Sequence, residues 1–410
     1  MQDKPNNSCD GQEPLPGELP PLRTSSRKKR GRKRGRGIYT AIAILLACAL
    51  VLAVWVNRDN LKPANISEWV QTQMLGIGTG KGYPVHFNTE NVMTRNFVSS
   101  GKDIFFTSDT AVRAYNSSAK ELFNRKHSFS EPVMKVNGNR ILVYNLGGTG
   151  YQLGNQLNTL LAGNADNKIL GGAVCANGRF ALLTQADGYC GKLTVYLPNG
   201  QVAFSYSFSE YSPTAVAMNA SGTHAAVTAV SASNGVLTSV IYELDFNSNK
   251  TVKPIASYSD TTFLDICYTD SNGVLAVGDT QTAALSAGGK KLSAYSYGDG
   301  ELCSWNLQRG GAVLGISKFH NAVAGTLAAV GTDGKQTAVV QVDRAPSSVS
   351  RMGQVMAALC GSKIQAYSIA GGGAAGTCSV GTNARAVALR TEKQAYILDV
   401  SEVRLEGLKA

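Results

Sequence analysis

From Tyr83 onward the chain is a succession of short apolar runs separated by Gly, Asn, Asp and Ser, with no helical periodicity. Two kinds of hairpin alternate along it. One is an apolar run ending in a Gly-, Asn- or Ser-rich turn and a second run, as in Tyr115-NSSAKELF, Tyr196-LPNGQVAF, Leu285-SAGGKKLSAY, Val330-GTDGKQTAVV and Tyr367-SIAGGGAAGT. Weaker copies begin at Leu153 and Tyr242. These marks recur at intervals of 37 to 46 residues. The second kind lies between them, as in NFVSSGKDIFFTSD, PVMKVNGNRILVYN and LDICYTDSNGVLAVGD. Two hairpins per period of about 40 residues make four strands per unit, which is the arithmetic of a β-propeller blade. The predicted fold is all-β: a propeller of seven or eight four-stranded blades over 83–410, with eight favoured. Seven units are complete, and an eighth begins at Ala384 and stops after Val403-Arg404-Leu405. The strand-like Tyr83–Phe87 is expected to supply its missing outer strand and close the ring, which removes free sheet edges.

A second feature concerns where such a ring would work. Arg27, Lys28, Lys29, Arg30, Arg32, Lys33, Arg34 and Arg36 form a basic run, and the next stretch, 38–56, carries no charge. Nineteen residues at about 1.5 Å each span roughly 28 Å, close to a hydrocarbon core. The basic run before the span, against Arg58 and Lys62 after it, predicts a cytoplasmic N-terminus and an extracytoplasmic C-terminus. A cleaved signal peptide fits less well, because the charged leader is long and Val54-Trp55-Val56 is a poor exit site. Leu45-Leu46-Ala47-Cys48 is a loose match to an acylation box, but the chain stays apolar beyond it. The predicted organisation is a disordered basic cytoplasmic tail (1–37), a transmembrane helix (38–56), a stalk and Gly-rich linker (57–82) and the propeller (83–410). A short stalk helix is expected over Ile66–Leu75, with Asn65 as its cap.

The net charge of +11 is unevenly spread. Residues 1–37 hold ten Lys/Arg and four Asp/Glu, so they account for +6 of it. The basic run therefore reads as a topology signal and a contact for anionic lipid, and no nucleic-acid partner is expected.

Motifs of common chemistries are missing. Gly76–Gly82 lacks the spacing of a phosphate loop. His86, His127, His224 and His320 have no metal-spaced neighbours, and Asp270-Ser271-Asn272-Gly273 lacks the downstream acid of a calcium loop. No cofactor or metal is expected. Six cysteines follow the span, without CxxC spacing and mostly in apolar runs, and are read as mainly free thiols. Asp265 and Glu301 fall in predicted strands that could direct them to a central channel, where a carboxylate pair could act as acid and base. Phe204, Tyr206 and Phe208 alternate onto one sheet face, which packs against the next blade or forms a platform for a glycan or peptide. Tyr206, Phe208 and Tyr211 are the candidate binding surface.

The hairpins Tyr196-LPNGQVAF and Val330-GTDGKQTAVV resemble the strand–Asp/Asn-Gly–strand unit of quinoprotein-like propellers. The chain is WD40-like only in architecture, since no Trp-Asp or Gly-His dipeptide occurs. Its layout is similar to a family of Gram-positive (clostridial) single-pass membrane proteins, in which a basic tail, one span, a WVQ-containing stalk (Trp69-Val70-Gln71), a Gly-rich linker and a propeller follow in order. That resemblance covers nearly the full chain. It implies cell-membrane localisation with an extracytoplasmic propeller, and it carries no catalytic residues. The function expected is a binding or scaffolding module for a protein, peptide or cell-wall polymer. The alternative is a propeller lyase or hydrolase acting on cell-envelope glycans.

Overall fold

The computed structural model describes residues 41–42, 44–48, 51, 71, 74, 78–87, 91–248, 250–318 and 321–409. The chain divides into two units, Met1–Arg58 and Asp59–Ala410. In the first, the described residues 41–42, 44–48 and 51 are helical. Among the described residues, no helix is long and apolar enough to cross a membrane. The basic run Arg27–Arg36, the tail and most of 38–56 lie outside the described residues, as do His320 and the stalk helix apart from Gln71 and Met74.

The second unit contains eight four-stranded antiparallel sheets. Seven are consecutive meanders. Blade 1, for example, runs Val92–Ser100, Asp103–Ser108, Ala111–Tyr115, Glu121–Lys126. The first strands of successive blades neighbour one another around a central axis. They are Val92–Ser100, Pro132–Asn137, Ile169–Val174, Ser212–Met218, Phe263–Tyr268, Gly300–Gln308, Ser348–Met352 and Ala386–Thr391. Blade 8 takes its first three strands from the C-terminus (Ala386–Thr391, Gln394–Leu398, Glu402–Gly407) and its outer strand from Val85–His86. Val85 pairs with Val403 and His86 with Glu402. The ring therefore has eight blades, the larger of the two counts the repeats allowed, and closes through Tyr83–Phe87, as the truncated last unit led us to expect.

The strand patterns follow from position. Second strands have both faces covered by neighbouring blades and read as continuous apolar runs: Val274–Gly278 and Val355–Cys360 are buried throughout. Outer strands alternate with water on one face, as in Thr159–Asn164 and Lys291–Ser296. The apolar core consists of eight clusters, one at each blade–blade seam. Where inner strands of adjacent blades approach most closely, small residues are needed, as in Gly171-Gly172 of blade 3. At Gly172 a Cβ would come within 2.9 Å of the Tyr144 ring from the preceding blade.

Two contacts lock the closure. Ser99 Oγ in blade 1 donates to the Leu389 carbonyl in blade 8 at 2.6 Å, and Tyr396 Oη in blade 8 donates to the Lys102 carbonyl at 2.6 Å. Tyr83 packs against Tyr396 with ring centroids 5.5 Å apart and donates its hydroxyl to the Asn116 carbonyl at 2.8 Å. Residues 78–82, read from sequence as free linker, are seated on the blade 1 turn. Gly80 N donates to Ser118 Oγ at 2.9 Å and Gly82 N to the Ser118 carbonyl at 3.1 Å. The approach needs glycine, since a Cβ on Gly80 would lie 2.3 Å from the Ala119 carbonyl carbon. Among the described residues, every strand and core cluster of the ring lies within residues 78–409, so that segment holds the whole of the described ring.

Candidate functional site: the channel and the two ends of the ring

The inner strands deliver a small set of polar side chains to the axis. Lys135, on the inner strand of blade 2, reaches Asp265, on the inner strand of blade 5, with Nζ 3.8 Å from Oδ1. The carboxylate is held from two further sides: Ile266 N donates to Oδ1 at 3.0 Å, and Trp305 Nε1, from the inner strand of blade 6, donates to Oδ2 at 3.2 Å. The Asp265 carboxylate raises the Lys135 pKa above its usual value, against the opposing effect of burial. Burial pushes the nearby Tyr144 hydroxyl up, and Lys135 opposes that shift. The pair is an ionic strut across the channel.

Beside it lies a cavity of about 170 Å³, whose walls include Lys135, Asn137, Met218, Cys267, Tyr268 and Arg309. Pockets that enclose small-molecule ligands usually measure about 300–1,000 Å³. The thiols here are poor nucleophiles. Burial pushes Cys267 up to about 12, and its Sγ donates to the Gln308 carbonyl at 3.4 Å. Burial likewise pushes Cys175 up to about 12, and its Sγ donates to the Asn219 carbonyl at 3.2 Å. Only the thiolate attacks or ligates effectively, and at neutral pH these groups are almost wholly protonated. The six cysteines from Cys175 to Cys378 are all free.

The two carboxylates singled out in the sequence are on inner strands but do not meet. Trp305 is the residue of its strand that reaches Asp265, and Glu301 lies four residues earlier on that strand. At about 3.3 Å per residue, Glu301 is displaced by roughly 13 Å along the axis. Asp265 is matched instead with a cation and an indole. Among the described residues, no three His, Cys, Asp or Glu side chains gather into a metal-binding group.

The aromatic face of blade 3 is the seam with blade 4. Phe208 is 1% exposed, and its ring meets Tyr206 at 5.0 Å and Tyr242 at 5.3 Å, both edge-on. Tyr206 donates its hydroxyl to the Val252 carbonyl at 3.1 Å, and Tyr211 packs 6.4 Å from Tyr242. Phe204 stacks toward Phe246 at 5.1 Å. The alternation does put the three rings on one face, and that face is used for blade packing. Tyr206 and Tyr211 are half-buried at its margin.

The largest organised feature lies in the turns. In an antiparallel meander, turns after first and third strands fall at one end of the ring, and those after second and fourth strands fall at the other. At the first end, turns after first strands carry Lys102, Arg179, Arg309 and Lys393, and turns after third strands carry Lys120, Lys250, Lys253, Lys290 and Lys335. Against these nine bases stand three acids, Asp270, Asp333 and Glu392. At the opposite end the balance inverts. Asp109, Asp187, Asp279 and Asp399 follow second strands, and Glu131, Asp166, Glu210, Asp260, Asp299 and Asp343 follow fourth strands. The bases among these described turns are Lys168, Arg344 and Arg385. Strands of six or seven residues hold the ends roughly 20 Å apart, about twice the screening length in physiological salt, so each acts as a separate field.

Whole-chain charge hid this polarity, because the two ends nearly cancel. The signal was present in the sequence: once strands are counted, the charges summed over alternate turns have opposite signs. The turns themselves are rigid. Asn177 Oδ1 accepts from Arg179 N at 3.0 Å, Asn199 Oδ1 from Gln201 N at 3.1 Å and Asp333 Oδ1 from Lys335 N at 3.1 Å, the local closure expected of Asx turns.

The fold was compared with solved structures. The C-terminal WD40 domain of Sif2 superposes with a TM-score of 0.54 at 12% identity, covering 80% of this chain and 97% of that one. BamB from Moraxella catarrhalis gives a TM-score of 0.49 at 10% identity, covering 78% of this chain and 99% of that one. At 12% identity, the likeness to the Sif2 domain shows a shared fold alone. No curated protein matches the chain by sequence. The sequence model of one protein family, described as "Family of unknown function (DUF5711)", matches residues 80–398.

Proposed function

This chain belongs to the DUF5711 family of unknown function, and within that family we propose that it is a membrane-anchored, extracytoplasmic propeller that binds or scaffolds a protein, peptide or cell-envelope polymer at the ends of its ring. The observation that carries this reading is the strut between Lys135 and Asp265. It occupies the axis where a propeller enzyme would gather its chemistry, beside a cavity of about 170 Å³. Recognition is left to the turns, which are numerous, charged and mounted on a rigid scaffold. Of the aromatic cluster, Tyr206 and Tyr211 keep part of their rings at the surface and extend the surface open to a ligand. The anchor in this reading is the uncharged stretch 38–56 behind the basic run Arg27–Arg36, whose charge asymmetry supports an N-terminus inside and a ring outside.

Two measurements test this. A C-terminal tag on the full chain should be removed when protease is added to intact cells or protoplasts, and a protected tag overturns the topology. Crosslinking of the full chain in its native membrane should yield a partner whose capture is lost when turn charges at one end are neutralised. Capture indifferent to substitutions at both ends overturns recognition by the turns.

A further inference from the structure

Two independent features converge on the basic end of the ring. The first is its charge: nine Lys and Arg in the turns at that end against three acids, with the reverse balance at the other. The second is the point of entry of the chain. Asn116 Nδ2 donates to the Gly78 carbonyl at 3.3 Å, and Gly80 and Gly82 donate to Ser118, so residues 78–82 join the ring at the turn after the third strand of blade 1. That turn belongs to the basic end.

We infer that the basic end of the ring is a docking face for anionic phospholipid headgroups of the membrane that anchors the chain, leaving the acidic end directed outward. The inference rests on the membrane anchoring proposed above and goes beyond it, because anchoring alone does not orient the ring. Residues 57–77, with the helix expected over 66–75, could reach roughly 50 Å, long enough to let either end approach the bilayer. Charge supplies the missing constraint. An anionic leaflet attracts basic side chains within a screening length of its surface and repels acids. Lys102, Lys290, Lys335 and Lys393 are exposed and come from blades 1, 5, 6 and 8, so the attraction is spread around the ring rather than at one edge. A ring seated this way presents Asp187, Glu210 and Asp260 to whatever lies beyond the membrane.

The segment 78–409, which holds every described strand of the ring, tests the docking without the anchor. It should co-sediment with vesicles of mixed phosphatidylglycerol and phosphatidylcholine, should not do so with phosphatidylcholine alone, and should be released by salt. The variant K102Q/K290Q/K335Q/K393Q should bind more weakly by roughly fivefold for each charge removed. Asp187→Asn with Glu210→Gln and Asp260→Asn, at the opposite end, should bind at least as well as the parent. A parent fragment that ignores the anionic vesicles, or a lysine variant that binds them undiminished, overturns the inference. So does loss of binding in the acidic-end variant. As a second readout, amide exchange in the basic-end turns of the full chain in nanodiscs should slow when phosphatidylglycerol replaces phosphatidylcholine, and unchanged exchange counts against the docking. Carbonate extraction of the full chain reports on the anchor separately, so failure of the anchor and failure of the docking are told apart.

Discussion

Lys135 and Asp265, on blades 2 and 5, meet across the axis of the ring with 3.8 Å between Nζ and Oδ1. The lysine side chain keeps 41% of its surface and the aspartate 27%, so the pair lines a channel rather than a dry core. That partial exposure limits its worth well below that of a fully buried pair.

Asp265→Asn should therefore cost about 1 kcal/mol in urea unfolding at neutral pH, with Lys135→Met closer to neutral because Asp265 keeps the Ile266 N and Trp305 Nε1 donors. The pH dependence has a definite sign. Lys135 has its pKa raised in the folded state, so its contribution is complete below the ordinary lysine value and is lost as pH rises through the folded value. The difference between parent and Asp265→Asn should be flat from pH 6 to about 9 and shrink only in strongly alkaline solution. A difference that disappears near neutrality would contradict the assignment.

Thiol reactivity should separate cleanly by burial. Cys175 and Cys267 are pushed up to about 12 and Cys360 to about 11, each chiefly by burial. Cys303 is exposed. Alkylation of the native protein at pH 8 followed by peptide mass spectrometry should mark Cys303 and spare the other three until denaturant is added. Because these folded values lie above the unfolded one, the stability from keeping the thiols protonated is intact below about pH 9 and falls as pH rises through 11 to 12.

Ring closure predicts a sharp boundary for N-terminal truncation. A chain starting at Gly78 should keep the thermal midpoint of the full-length ring. One starting at Asn88 lacks Val85 and His86, strips Val403 of its strand partner and exposes a sheet edge. It should melt at markedly lower temperature and aggregate. Within the closure, Tyr396→Phe removes one hydrogen bond to the Lys102 carbonyl and should cost about 1 kcal/mol.

Two adjacent glycines should respond differently to alanine. At Gly172 the new methyl would press on the Tyr144 ring at 2.9 Å, and the substitution should cost about 1–3 kcal/mol. At Gly171 the nearest atom is 3.6 Å away, an ordinary contact. Chemical denaturation of the two variants checks this, and equal losses would mean that the seam between blades 2 and 3 is softer than its packing implies.

Much of the ring was legible before any coordinates. Register marks such as Tyr115, Tyr196, Leu285 and Tyr367 fall on the third strands of their blades, because a strand covered on both faces must be apolar wherever it occurs. Tyr83–Phe87 was legible as the closing strand because the last unit lacked one. The axis was not. Asp265 and Glu301 both sit on inner strands, yet which side chain meets Asp265 depends on blades far apart in sequence and on offsets along the axis, which no local pattern encodes. The aromatic stripe of blade 3 was equally ambiguous: alternation placed Tyr206 and Phe208 on one face, and only the neighbouring blade showed that Tyr242 covers it.

The sequence by itself determined the propeller, its four-stranded unit and the closing strand, because these follow from hydrophobic burial repeated at a fixed period; it left seven or eight blades open, and the structure decided eight. Tertiary structure alone decided that Lys135 finds Asp265, that Phe208 is core, and that the chain joins the ring at its basic end. The polarity of the ring lies between the two. Its charges are written in the turns, but they add to a field only when the meander gathers alternate turns at opposite ends, about 20 Å apart, beyond the reach of mutual cancellation in salt.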